Sequence, residues 1–194
     1  MKLLAFVDTH NSLKSLKEIK KKSKQADMIV CAGDLTIFEN GLTYMLAELN
    51  RLKKPVLIID GNHESVNDMK KACSLFKNIN FIHNKVYKKD GFVFFGYGGG
   101  GFSMVNKDFE RSAKNHEKEL KEKIILITHA PPYGTNIDKI HGQYAGSRSI
   151  TKFIKKFRPI LAISGHLHEN AGKKGAIGKT KIINPGPFGV IVKI

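Results

Sequence analysis

Short runs of β-branched and aliphatic residues alternate along this chain with stretches whose apolar residues recur every three or four positions. The runs Leu3–Val7, Met28–Cys31, Val56–Ile59, Val93–Phe95, Ile124–Thr128, Ile160–Ser164, Lys181–Ile183 and Val190–Lys193 have the length and composition of buried or half-buried strands. Between the first four lie Leu13/Leu16/Ile19, Leu42/Met45/Leu46/Leu49 and Met69/Ala72/Leu75/Phe76, spaced as on amphipathic helices. A strand-helix alternation of this kind builds a mostly parallel sheet covered by helices. Beyond Asn80 the strand candidates crowd together around the Gly98–Gly101 run, so the C-terminal part reads as strands joined by turns. With 194 residues, 41% hydrophobic content and no repeat, linker or low-complexity stretch, residues 1–194 read as one domain.

The polar residues gather where the apolar runs stop. Asp8-Thr9-His10 follows the first run, Gly33-Asp34 the second and Gly61-Asn62-His63-Glu64 the third. Thr128-His129-Ala130 ends the fifth, and Gly165-His166-Leu167-His168 follows the sixth. In open α/β sheets the carboxyl ends of parallel strands line the ligand crevice, so all five clusters are expected on one edge. Asp8 and His10, one residue apart, can point the same way and chelate one ion; His166 and His168 have the same spacing. Asp34, on a Gly turn, offers two oxygens, as a carboxylate bridging two ions must. Asn62 adds a neutral oxygen and His129 an imidazole nitrogen. Such a set suits manganese, iron, zinc or nickel better than a metal that selects thiolates. One cluster alone is more often a turn or a helix cap. Five of them at five strand ends, holding five of the eight histidines, are not explained by capping. His83 and His116 fall outside the clusters and read as surface residues.

The formal net charge is +16, from 33 Lys and Arg against 17 Asp and Glu, which favours phosphate-bearing partners. Only Arg51, Arg111, Arg148 and Arg158 carry the guanidinium fork that reads bases or grips phosphate in bidentate fashion. The lysines concentrate in stretches of helical pattern such as Lys14–Lys24 and Lys114–Lys123, where a solvated face is the plainer reading, and a lysine-rich surface is also a habit of heat-adapted proteins. Nucleic acid is thus a candidate partner and no more. The early apolar run is broken at Asp8, too soon for a signal-peptide core or a membrane span, so the expectation is a cytoplasmic protein without membrane contact. Cys31 and Cys73 cannot form a disulfide framework and read as buried or reduced thiols.

In the order Asp8-x-His10, Gly33-Asp34, Gly61-Asn62-His63-Glu64, His129 and Gly165-His166-x-His168, the chain resembles the calcineurin-like metallophosphoesterase superfamily over nearly its whole length. Tyr97-Gly-Gly-Gly-Gly-Phe102, His129-Ala-Pro-Pro-Tyr-Gly-Thr135 with Asp138, Ala145-Gly-Ser147 and Asn184-Pro-Gly186 are similar to its small Icc-related phosphoesterases. The resemblance implies a four-layer αββα sandwich, two mixed β-sheets flanked by helices, that holds two divalent ions. Manganese is expected first, with iron, nickel, zinc and magnesium as alternatives. One ion would be held by Asp8, His10, Asp34 and His168, the other by Asp34, Asn62, His129 and His166. His63, with Asn62 beside the substrate, matches the family's non-ligand histidine, which contacts the scissile phosphate and protonates the leaving oxygen. Glu64 stands where the family usually has aspartate and would orient His63. A metal-bridging hydroxide would attack phosphorus in line.

His141, Ser147 and Arg148 form a candidate substrate rim, although Ser147 could equally cap a helix Ser149–Phe157. The Gly98–Gly101 run is not set between a strand and a helix as a P-loop is, and reads as a turn. The leading expectation is a metal-dependent phosphodiesterase or phosphatase with an open crevice. A nuclease of the same chemistry and a non-catalytic protein-binding scaffold are the alternatives.

Overall fold

The computed structural model describes residues 1–194. Its first half alternates without exception: β1 (Lys2–Phe6), α1 (Leu13–Ser23), β2 (Met28–Cys31), α2 (Leu42–Asn50), β3 (Val56–Ile58), α3 (Val66–Cys73) and β4 (Ile79–Phe81). The four strands pair in parallel and in chain order, since each helical crossover returns the chain to run the same way. Ser12 and Ser65 begin α1 and α3 by accepting the backbone N–H of Ser15 and Asp68, which satisfies donors the first helical turn leaves open.

The second half repeats the device with different edges. A hairpin of β5 (Lys85–Lys89) and β6 (Phe92–Tyr97) leads through α4 (Lys107–Asn115) to β7 (Ile124–Thr128). The small hairpin β8 (Lys139–Ile140) and β9 (Gln143–Tyr144) precedes α5 (Arg148–Phe157), β10 (Leu161–Ile163), β11 (Lys174–Ile177) and β12 (Thr180–Ile183). The six-stranded sheet has the order β11-β12-β10-β7-β6-β5, parallel through its four central strands and antiparallel at both edges. The last strand, β13 (Val190–Lys193), crosses back and pairs antiparallel with β1. The chain beyond Asn80 is therefore not strands joined by turns alone, because α4 and α5 connect parallel strands there too.

Side-chain alternation along the strands sorts the core into three apolar layers. Leu4, Phe6, Ile29, Cys31, Val56 and Ile58 face α1, α2 and α3. Their neighbours Leu3, Ala5, Val7, Met28, Val30, Leu57 and Ile59 face Phe94, Ile125, Ile127, Leu161, Ile163 and Ile183 of the other sheet. The far side of that sheet, with Phe95, Ile124, Leu126 and Ala162, packs on Phe109 of α4 and on Ile150, Phe153 and Ile154 of α5. Helices, sheet, sheet and helices make the four-layer αββα sandwich. No helix is long and apolar enough to cross a membrane.

Two helical expectations stop short. α3 ends at Cys73 and leaves Leu75 66% exposed. α4 ends at Asn115, and of the following residues through Lys123 only Leu120 is buried, so too little apolar surface is available to hold further turns. Ile127→Ala should open a cavity between the sheets and cost about 2–5 kcal/mol, whereas Leu75→Ala should stay within about 0.5 kcal/mol of the parent. Urea unfolding of the two variants checks the contrast.

Candidate metal centre

Three of the five polar clusters leave their strands on left-handed backbone. Asp8, His10, Asp34 and His166 all have positive φ, at 55°, 43°, 49° and 69°. Left-handed backbone at non-glycine residues costs energy and persists only where surrounding contacts hold it. Here the contacts are explicit. The β1–α1 loop docks on the loop after β2 through Asp8 N–H to Gly33 O, His10 N–H to Asp34 O and Asn11 N–H to Leu35 O, at 3.1–3.2 Å. The hydroxyl of Thr9 donates to Leu35 O at 2.9 Å. The loop after β3 comes so close that a Cβ on Gly61 would lie 1.9 Å from Asp34 Oδ1, so only glycine fits there.

These turns gather the side chains from the carboxyl ends of β1, β2 and β3 in one sheet and of β7 and β10 in the other. Asp8, His10, Asp34 and His168 each bring one donor atom into a group no wider than 4.8 Å. Within it His10 Nε2 is 3.0 Å from His168 Nε2 and 3.7 Å from Asp34 Oδ2. A second group shares Asp34: Oδ2 lies 3.4 Å from His129 Nε2, which is 3.0 Å from Asn62 Oδ1, which in turn is 2.8 Å from His166 Nδ1. Asp34 thus sits between two sets of imidazoles. Its other oxygen accepts the backbone N–H of His63 at 3.0 Å.

The donor set fits divalent ions on two counts. Nitrogen and oxygen ligands about 2.1 Å from an ion, at tetrahedral to octahedral angles, stand roughly 3.0–3.5 Å apart, close to the spacings observed. Second, one imidazole is already turned for coordination. His129 Nδ1–H donates to Ala32 O at 3.0 Å, which turns Nε2 toward the oxygens of Asn62 and Asp34. A ring N–H spent on a backbone carbonyl is what orients a metal-ligating histidine.

The electrostatics follow from burial and mutual contact. Burial alone would raise the Asp34 carboxyl, but the hydrogen bond and charge of His129, the His63 N–H and His10 outweigh it and hold the group at about 2. Burial lowers His166 to about 4, with the charge of His129 assisting, so its imidazole stays neutral as a ligand must. For His129 burial favours the neutral ring, yet Asp34 and Asp8 prevail and raise it. Asp8 is raised, chiefly by burial. Both thiols are buried and shifted up by burial, Cys73 to about 12, so neither offers a thiolate.

Several expected roles change. The Glu64 carboxylate does not meet the His63 ring. One oxygen accepts the backbone N–H of Asp34 at 3.1 Å and of Gly61 at 2.9 Å; the other accepts Thr36 N–H and Oγ1–H at 2.7 and 2.9 Å. The extra methylene relative to aspartate takes it into the backbone, where it braces the loops that carry Asp34 and Asn62. His141 is exposed at the turn of the β8–β9 hairpin, with no hydrogen bond to either donor group. Ser147 stands at the N-cap position of α5, but its buried hydroxyl makes no cap bond and has no partner. The Arg148 guanidinium stacks over the Tyr133 ring, 4.8 Å from its centroid. His83 is not a surface residue: Nδ1 lies 2.6 Å from Oδ1 of buried Asp60, beneath the glycine loop, where a Cβ on Gly98 would come within 2.1 Å of that same oxygen. Asp60 lies one residue before the Gly61-Asn62 turn, and only the close Gly98 contact reveals the pairing.

Known proteins can be set beside this geometry. The family model described as calcineurin-like phosphoesterase matches residues 1–170. The uncharacterized protein MJ1162 of Methanocaldococcus jannaschii is 32% identical over 201 residues, which cover 96% of this chain and 88% of that one. Among solved structures, TT1561 of Thermus thermophilus superposes with a TM-score of 0.80 at 18% identity, over 95% of this chain and 88% of that one. A dimetal phosphatase from Danio rerio superposes with a TM-score of 0.61 at 11% identity, over 94% and 86%. The family match ends at residue 170, two residues past His168, and so takes in every polar cluster described above: this chain belongs to the calcineurin-like phosphoesterase family.

Proposed function

We propose that the chain is a dinuclear metal-dependent phosphoesterase that hydrolyses phosphate esters, diesters first. The observation that carries this reading is the position of one buried carboxylate, Asp34, whose Oδ2 stands within 3.4–3.7 Å of imidazoles from two separate donor groups. Asp8, His10, Asp34 and His168 would hold one ion, and Asp34, Asn62, His129 and His166 the other. Manganese suits this oxygen and nitrogen set, as do iron, nickel, zinc and magnesium. When bound, two such ions supply Lewis acidity at the phosphoryl oxygens and an activated water as nucleophile. The structural likeness to a phosphatase described as dimetal supports a two-ion centre on this fold.

The protein's own groups set the rest of the chemistry. The backbone N–H of His63 steadies Asp34 Oδ1, while its ring stands edge-on 4.9 Å from that of His10, beside the first donor group but in neither of the two. A ring so placed can hold a proton for the departing alkoxide. Glu64 acts at one remove, through the backbone N–H groups it accepts. The formal charge of +16 permits a second reading, a nuclease with the same centre, for which phosphate contacts would make cleavage steeply salt-dependent.

The deciding experiment is a divalent-metal panel run against diesters, monoesters, cyclic nucleotides and DNA. Hydrolysis should vanish on exhaustive chelation and return with manganese; turnover that survives chelation would sink the two-ion reading, and salt-sensitive DNA cleavage without small-ester turnover would select the nuclease. Elemental analysis tests the shared carboxylate. Asp34→Asn should lower occupancy at both positions and His10→Ala mainly at one, so an Asp34→Asn protein that retains two ions overturns the assignment. For His63→Gln, metal content should stay near normal while turnover drops about 100- to 10,000-fold, the worth of a positioned general acid. Alkyl leaving groups should suffer more than nitrophenyl. Glu64→Gln should instead weaken metal retention and slow both ester classes alike, and a leaving-group dependence like that of His63→Gln would return Glu64 to an orienting role.

A further inference from the structure

Of the twelve phenylalanines, Phe6, Phe94, Phe95, Phe109 and Phe153 are buried. Two stand in the open beside the candidate centre: Phe38 is 73% and Phe102 65% exposed. Each ends a run of ring contacts that leads into the metal ligands. Phe38 lies 4.7 Å from His63, which lies 4.9 Å from His10. Phe102 lies 4.5 Å from His166, which lies 5.2 Å from His129. One phenyl ring therefore borders the His63–His10 side of the crevice and the other the His166–His129 side.

Neither ring is there by slack. Phe38 has φ +48° and Glu39 has φ +57°, left-handed values that a bulky side chain adopts only when neighbouring groups impose them. The imposing groups are identifiable. Asn11 Oδ1 accepts Ile37 N–H at 2.8 Å, Asn11 Nδ2 donates to Asn40 O at 2.7 Å, and Glu39 Oε1 accepts Ser65 N–H at 2.6 Å. These three bonds pin the loop on both sides of Phe38 and leave its ring over His63 and not in the core. Phe102 follows Gly99, Gly100 and Gly101, all at positive φ, and lies in a turn closed by Ser103 N–H to Gly100 O at 2.9 Å. The glycine run that reads as a turn in sequence thus carries an aromatic side chain to the rim.

We propose that Phe38 and Phe102 are specificity-determining walls of the crevice, and that they select phosphodiesters whose organic arms carry a planar aromatic group, nucleobase or aryl. The inference rests on the phosphoesterase reading above and names the substrate class of the same site. A phosphate centred among His63, His10, His129 and His166 has its two ester arms directed outward, and each flank offers one flat apolar face. Aromatic rings stack on such faces in offset or edge-to-face fashion. A base or aryl ring supplies the partner, whereas a methyl or glyceryl arm leaves both rings in water. A monoester can use one wall only, which favours diesters for the same geometric reason.

Binding separates this proposal from the hydrolytic reading. Affinities of manganese-loaded protein for methylphosphonate, phenylphosphonate and a nucleoside methylenephosphonate, none of them hydrolysable, are read by calorimetry. The parent should prefer the two aromatic ligands to methylphosphonate by about tenfold or more, the usual worth of one stacked ring. Phe38→Ala and Phe102→Ala should each erode that preference, and the double variant should abolish it; Phe→Leu, which keeps bulk without a flat face, should restore it in part only. A preference for the phenyl ligand alone identifies aryl esters, and for the nucleoside ligand alone nucleotides. Equal affinities in the parent, no binding of any phosphonate, or an equal loss for all three ligands in the variants would overturn the proposal, the last by making the rings mere supports of the imidazoles. Aromatic preference in a protein that turns over no ester on any metal would instead leave the walls standing and remove the phosphoesterase reading.

Discussion

The contact on which everything else depends is the apolar layer between the two sheets. Leu3, Ala5, Val7, Met28, Val30, Leu57 and Ile59 interlock with Phe94, Ile125, Ile127, Leu161, Ile163 and Ile183, and sheets packed this way stand about 10 Å apart. At that spacing the carboxyl ends of strands from both sheets share one rim. Asp8 and His10 come from one side and His166 and His168 from the other, across 158 residues of chain. A shift of the sheets by a single residue step, about 3.3 Å, would exceed every tolerance a coordination group allows.

On top of that rim, buried carboxylates hold the backbone. Glu64 spends four acceptor interactions on the loops around Asp34 and Gly61. Asp60 holds His83 beneath the glycine loop. Asp138, fully buried, accepts Gly134, Thr135 and Gly146 N–H in the segment that leads from His129 to α5. The strained turns at Asp8, His10, Asp34 and His166 need such braces, because a left-handed non-glycine residue relaxes when its neighbours let go.

Most of the sandwich could be read from residue order. Strands β2, β7 and β13 fall where their β-branched runs predict, since both faces of such a strand are apolar and periodicity hides nothing. β5, β8, β9 and β11 escaped because they are edge or hairpin strands whose side chains are largely exposed, so lysine and glycine serve as well as valine. The placement of the candidate donors on one rim was legible for a related reason: they follow buried strands directly, and strand ends fix position. Roles that depend on side-chain direction were not. Glu64 reads as a partner for the adjacent histidine, yet one more methylene sends it to three backbone amides. The exposure of Phe38 has no local signal either, because it is decided by a loop pinned from Asn11 and Ser65.

The separation of Asp8 from His166 also fixes when a metal centre on these residues can be assembled. Synthesis of the chain delivers Asp8, His10, Asp34 and Asn62 first, and a first sheet formed at that stage would hold two carboxylates, an amide and one relevant imidazole. The three histidines that complete the set lie at positions 129, 166 and 168, and β13 must still return to pair with β1. Contacts between such distant segments form late, after the long loops between them have closed. Any ion held by these residues would then be loaded into the finished fold, where geometry, ligand type and metal supply together decide which ion binds.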